Sequence, residues 1–387
     1  MTETIQPFRN HLPVRIRFGD GVAGELAGLL ADEGVRRPLV VLDRGLDRLV
    51  AGVAAALAPV EAAVRFEKDA GEPTVELVER AASALAGSGC DGVVAIGGGS
   101  AMDTAKAARL VAGQGGPYLR FARGEAAYEP PSIPLVCVPT TAGTGSEVSG
   151  GAVITDQETH VKAGIASPLL RAQHALVDPL LTHGLPHSVT ARTGIDALAQ
   201  AIAGMVVRVH TPIGDAIALE AIRMAGRALP AVVRDGGDAA ARSQMACASL
   251  MAGLTMNISD CGSEHSLAQS IGGLLGLPHG LTIGLVLAES IDRDRRHAAA
   301  QFERVADALG EPDDGSADGS RAVRAVRRIL HQIDFDTMAA AGVRSEHVDT
   351  LAANALEDYF ITCAPAPWTL AEARAVYEQG LALGDRR

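Results

Sequence analysis

Short apolar runs alternate with helix-period segments through the first half of the chain. "RPLVVLDRG" (37–45) is an unbroken apolar run closed by a turn, the pattern of a buried strand. "VELVERAASALAGSG" (75–89) repeats apolar residues at helical spacing and stops at glycine. "CDGVVAIGGGSAMDTAKAARLVA" (90–112) reads as strand, glycine turn and helix, and "IPLVCVPTTAGTGSEVS" (133–149) as a strand followed by a polar loop. Strands alternating with helices build parallel βαβ units, so an α/β domain is expected first. After about residue 183 strand signals nearly vanish. Alanine-rich, helix-period segments follow at roughly 188–205, 212–228, 238–256, 262–275, 296–309, 320–332, 345–358 and 369–382. "GEPDDGSADGS" (310–320) reads as an exposed acidic loop. The expected division is an α/β domain over 1–182 and an all-α domain over 183–387.

Composition narrows this picture. With 43 glycines and only 3% aromatic residues, the helices must pack closely through small side chains. A net charge of -12 argues against general affinity for nucleic acid or an anionic membrane. Cys90, Cys137, Cys247, Cys261 and Cys363 are scattered without a CxxC pair, as expected of reduced thiols in a cytoplasmic protein. "MTETIQPFRNHLP" lacks a signal-peptide pattern, and no window approaches 18 uninterrupted apolar residues, so no membrane span is expected.

Candidate chemistry sits in four places. "VVAIGGGSAMDTAK" puts Gly97, Gly98, Gly99 and Ser100 between a strand and a helix. Glycines there let the backbone approach a pyrophosphate, and the helix N-terminus offers free N–H groups. The spacing is neither GxGxxG nor a P-loop, and a plain tight turn uses the same residues. "VPTTAGTGSEVS" places Thr140, Thr141, Thr144 and Ser146 after a strand, where loops line the crevice of an open sheet. Asp43 ends an apolar run; an acid there either bonds the adenosine ribose or caps a turn. Asp196 and Gln200, and again His265 and Gln269, stand four residues apart on one helical face. His279 lies in a Pro-His-Gly turn where one helix ends and another begins. One Asp and two His could together hold a divalent cation.

These residues resemble the iron-containing (group III) alcohol dehydrogenase family, related more distantly to glycerol dehydrogenase and dehydroquinate synthase. The matching segments include "GGGSAMDTAK", "VPTTAGTGSEVS", "TARTGIDALAQAI" and "EHSLAQSIGGLLGLPHG", keep the family's order and span nearly the whole chain. The resemblance implies a Rossmann-like N-terminal domain that binds NAD(H), a helical C-terminal domain that carries a metal, and an active site between them. It assigns Gly97, Gly98, Gly99, Ser100 and Asp103 to the pyrophosphate side and Asp43 to the ribose. Thr140, Thr141, Thr144 and Ser146 fall near the nicotinamide and phosphates, and Lys162 and Asp178 in the cofactor wall. It also implies a homodimer or higher oligomer, with an edge strand of the sheet contributing.

The family's metal site is one Asp and three His. Asp196, His265 and His279 match three ligands, whereas Gln200 replaces the fourth. Gln269 replaces a further family His that lines the site, and Glu264 stands where a small apolar residue is usual. Three protein ligands suffice for a catalytic zinc, and the carbonyl of Gln200 offers a weak fourth, so one zinc or iron ion is expected. Gln200, His265, Gln269 and His279 are the expected catalytic surroundings. The amides of Gln200 and Gln269 suggest a small functionalised aldehyde, carrying a carboxylate or phosphonate, in place of a simple alkanol. Three alternatives stay open: a metal-free enzyme like the maleylacetate reductases, a lyase like dehydroquinate synthase, and a protein that binds the dinucleotide without chemistry.

Overall fold

The computed structural model describes residues 7–384 except 70 and 160. The stretch read for a leader therefore lies partly outside the described residues. Among the described residues eight strands form: β1 (Arg15–Phe18), β2 (Pro38–Asp43), β3 (Val64–Lys68), β4 (Gly92–Gly97), β5 (Leu135–Pro139), β6 (Gly151–Asp156), β7 (Val161–Ala166) and β8 (His174–Val177). Six make one parallel sheet in the order β1-β8-β5-β4-β2-β3. Every residue of β4 and β5, and all but the last of β2, is buried. Burial on both faces gives unbroken apolar runs in place of alternation. The expected Rossmann-like domain is present, with the doubly wound order in which β3 lies to one side of β2 and β4 to the other. Ligands bind such sheets at that reversal, beyond the carboxyl ends of the strands. Here the reversal brings the Asp43 carboxylate over Gly97.

The sheet hides two departures from strict βαβ alternation. β6 and β7 form a separate antiparallel hairpin tied to the loop after β3 by Thr155 N–H donating to the Pro73 carbonyl at 2.8 Å. β1 pairs on one side only, and Ile16 and Phe18 are exposed there.

Strands stop at Val177, and the helix His187–Val206 opens the helical half. It is buried without a break from Gly194 to Val206, as the central rod of the half. Around it lie Pro212–Arg234, Ala239–Ser259, Ser263–Leu275, His279–Asp294, Ala299–Ala308, Ser320–Gln332, Val348–Glu357 and Leu370–Gly384. His279–Asp294 was not among the expected helical segments, although the Pro-His-Gly turn marks its start. Every residue from Leu281 to Ile291 is buried, and the mostly apolar stretch Leu281–Ala288 reads as readily as a buried strand.

The halves meet backbone to backbone. A Cβ on Gly145, in the loop after β5, would fall 2.4 Å from the Cα of Gly253 in Ala239–Ser259. Beside this contact Val148, Ala175, Val177, Ala246 and Leu250 form a small apolar cluster shared by both halves. Further out, the only tryptophan of the chain, Trp368, stacks under Arg293 at 4.5 Å and donates its indole N–H to Asp294 at 3.1 Å. Among the described residues no helix is long and apolar enough to cross a membrane.

Candidate active site

Three helices of the second half converge on one point. Asp196 lies in the buried stretch of His187–Val206, His265 in the first turn of Ser263–Leu275, and His279 begins His279–Asp294. Gly276, left-handed at φ 66°, ends the second helix, and the chain turns back through Pro278. A Cβ on Gly280 would sit 2.4 Å from the backbone carbonyl of Arg192, so only glycine lets the third helix start this close to the first. The turn leaves the His265 and His279 rings 5.4 Å apart between centroids. Both Nε2 atoms lie 3.7 Å from Asp196 Oδ1, and the three potential ligand atoms fall within 4.8 Å of one another.

The electrostatics of this cluster are unusual for a core. Asp196 Oδ1 is buried and has no hydrogen-bond partner. Burial pushes the Asp196 carboxyl up to about 7, partly offset by His265 and by a hydrogen bond from Gln200. The carbonyl oxygen of Gln200 is a second buried atom without a partner. Burial, with help from the Lys162 and His265 charges, holds His279 well below the usual imidazole range, hence neutral and able to ligate. Burial works against a charge on His265 too, but Cys261 and Glu264 outweigh it and raise that group. The His265 Nδ1 lies 2.8 Å from Glu264 Oε1, an arrangement that puts a proton on Nδ1 and frees Nε2 toward Asp196. Phe360 packs edge-on against His265 at 5.8 Å and closes one wall. The His279 side chain is 27% exposed and marks the open side. Gln269, one turn after His265, has no hydrogen-bond partner among the described residues. A divalent ion fits here: two neutral-capable imidazoles and a carboxylate oxygen converge with their lone pairs unclaimed.

The glycine turn forms a second cradle at the sheet's reversal. Gly97 has φ 152°, and a Cβ there would meet Ala101 at 2.8 Å and Asp43 Oδ2 at 3.3 Å. A Cβ on Gly99 would meet Thr144 at 2.8 Å, and the Thr141 hydroxyl lies over Gly98. Thr140 N–H donates to the Gly97 carbonyl at 2.9 Å and couples the two loops. No side chain caps the helix Gly99–Gln114, so its first N–H groups stay available to an anion. A dinucleotide fits this cradle.

Three expected cofactor residues are engaged inward. Asp103 accepts from the Ser146 hydroxyl at 2.7 Å and from Val153 N–H at 3.0 Å, which fastens the hairpin to the phosphate helix. Ser146 in turn accepts from the buried Lys106 at 2.8 Å. Both oxygens of Asp178 accept backbone N–H groups, from Ala23 and Leu180. Lys162 lies 3.1 Å from Glu72, beside the cleft. Sequence reasoning passed over Lys68, Glu72 and Phe360. Lys68 and Phe360 belong to no recognisable motif, and Glu72 reaches the cleft only through the unanticipated hairpin.

Residues 13–179 match the family model for iron-containing alcohol dehydrogenase, and residues 190–381 match the C-terminal model of the Fe-containing alcohol dehydrogenase family. The choline dehydrogenase of Bacillus subtilis is 34% identical over 92% of this chain and 91% of its own length. The 4-hydroxybutyrate dehydrogenase of Cupriavidus necator is 34% identical over 90% and 93%. Among solved structures, the sulfoacetaldehyde reductase of Bifidobacterium kashiwanohense in complex with NAD+ superposes with a TM-score of 0.88 at 27% identity, covering 97% of this chain and 98% of that one.

Proposed function

The chain belongs to the iron-containing alcohol dehydrogenase family, and on that premise we propose that it interconverts a small functionalised aldehyde or ketone and its alcohol with NAD(H) at a metal-assisted site. In this reading residues 1–182 hold the dinucleotide and 183–387 the metal and substrate. One observation carries it: a buried, unpartnered carboxylate oxygen 3.7 Å from two imidazole nitrogens. Asp196, His265 and His279 would hold zinc or iron, with the Gln200 carbonyl in reach as a weaker fourth ligand. A cation there supplies Lewis-acid polarisation of the carbonyl oxygen, and the nicotinamide supplies or accepts hydride.

The chain's own groups do the rest. Glu264 fixes the tautomer of His265, and Phe360 keeps water from one side. Gln200 and Gln269 carry no titratable proton, so neither amide serves as the proton donor to the substrate oxygen. The Lys162 charge, close enough to act on His279, favours a substrate with an anionic end. Two of the relatives carry the names of anionic substrates, 4-hydroxybutyrate and sulfoacetaldehyde. The exposed apolar face of β1 supports a homodimer built on that edge.

Protein purified without chelator is assayed for metal and for oxidation of NADH with a panel of aldehydes. The expected result is about one divalent ion per chain and faster turnover of anionic aldehydes than of butanal. Full activity at negligible metal content overturns the metal reading, and a preference for butanal overturns the substrate reading. Substrate conversion without net NADH turnover indicates a lyase, and neither activity indicates a dinucleotide-binding protein.

A further inference from the structure

Lys68 is a fully buried charged group at the dinucleotide cradle. It ends β3, directly opposite Asp43 at the end of β2, and its side chain has no exposed surface. Its ammonium donates to Asp43 Oδ1 at 2.6 Å, to the Asp69 carbonyl at 2.9 Å and to the Ser100 hydroxyl at 3.1 Å, with the Gly71 carbonyl further off at 3.4 Å. An ammonium has three donors, so these partners saturate it and leave none for a ligand. A buried cation of this kind costs stability unless it is paired and fully bonded, and a core position beside an exposed strand end has cheaper occupants. Its three partners share one property: they belong to the ribose acid, the phosphate-loop serine and the loop between them.

The pairing is lopsided in a useful way. Oδ1 of Asp43 is claimed by Lys68, while Oδ2 is turned over the Gly97 backbone, 3.3 Å from where a Cβ would stand. The Asp43 side chain is 29% exposed and reachable from the crevice. A carboxylate held by one oxygen presents the other in a fixed direction, ready to accept a ribose hydroxyl without first losing rotamer freedom. The same fixed oxygen stands against a phosphate at that hydroxyl.

We propose that Lys68 is a positioning residue for cofactor choice: by gripping Asp43 and Ser100 it aims the Asp43 carboxylate at the adenosine ribose and so sets the preference for NADH over NADPH. The idea rests on dinucleotide binding at this cradle. Lys68 does not touch the cofactor; it acts through Asp43.

The test is direct binding of NADH and NADPH, followed by nicotinamide fluorescence, to wild-type protein, Lys68→Met and Lys68→Gln. Lys68→Gln keeps a donor and serves if the methionine variant does not fold, as judged by its melting curve. Wild-type protein should bind NADH more tightly than NADPH. Loss of the grip on Asp43 should weaken NADH by about tenfold, the value of one charge-assisted hydrogen bond, and NADPH by much less, so their ratio shrinks. In an Asp43→Asn background Lys68→Met should leave the ratio where it is. Equal loss for both cofactors would make Lys68 a structural ion only and overturn the proposal, as would no change for either. A larger loss for NADPH would mean that Lys68 offsets the phosphate charge, which also overturns it. Failure of the wild type to bind either nucleotide would instead sink the reading of the cradle itself.

Discussion

The glycine cradle and the three-helix cluster treat their buried polar groups in opposite ways. In the sheet half, charges close on one another: Lys68 on Asp43 and Ser100, Asp103 on Ser146 and Val153, Asp178 on two backbone N–H groups. In the helical half, Asp196 Oδ1 and the Gln200 carbonyl lie buried with no partner at all. An unsatisfied buried polar atom costs roughly 1–3 kcal/mol, more when charged, so such atoms persist only where something else compensates. The glycine cradle is therefore closed on itself as folded, whereas the three-helix cluster leaves open the atoms that the proposed cation would engage.

The strongest attack on this contrast is Asp196→Ala. Loss of the carboxylate should strip the metal and lower kcat/KM on the order of 10³-fold, several kcal/mol of lost charge stabilisation. NADH affinity should stay near that of the wild type, because the cradle is self-contained. A parallel fall in NADH binding would break the contrast. A smaller effect is expected at Glu264→Gln, which keeps a hydrogen-bonding group beside His265 but removes its charge. Metal affinity, measured by competition with a chromophoric chelator, should fall about 10–100-fold with dinucleotide binding unaffected. Unchanged metal affinity would remove Glu264 from the site.

The smallest effect concerns acid. Hydrogen bonds from Arg293, with help from Thr369, hold Glu372 down to about 2 from an ordinary value of 4.5. A carboxyl lowered by folding contributes stability above its unfolded pKa and loses that contribution as pH falls through the folded value. Between about pH 4.5 and 2 the anchoring of Leu370–Gly384 should weaken. Emission from Trp368 should shift over that range, before the far-ultraviolet helix signal of the whole chain; a shift only above pH 5 would count against the Arg293–Glu372 anchor.

Much of the architecture was legible because burial on all sides leaves an unmistakable trace in strands. β2, β4 and β5 are continuous apolar runs, and their limits lie close to those expected. His279–Asp294 escaped because its buried, mostly apolar stretch Leu281–Ala288 is short enough to read equally as a strand. β1 and β3 carry Arg and Glu at positions open to water and β3 ends on a buried Lys, which breaks the apolar run, and the hairpin turn lacks the two-residue Asn-Gly or Asp-Gly signal. The residues at the metal cluster could be named from their motif, but their convergence could not be read locally. Positions 196, 265 and 279 meet only because three helices pack, and because Gly280 lets the last of them press on Arg192. Lys68 was illegible for a related reason: its partner Ser100 lies 32 residues away, across a helix and a strand.

The solitary indole of Trp368 makes the protein its own reporter. Held by Arg293 and Asp294, it is a single chromophore in the helical half with no competing tryptophan in the sheet half. Its emission overlaps the absorption band of reduced nicotinamide, so quenching by energy transfer would register occupancy of the opposite half from a fixed vantage point. A titration in one cuvette could then follow nucleotide capture and the integrity of the C-terminal helix together, without a label and without turnover.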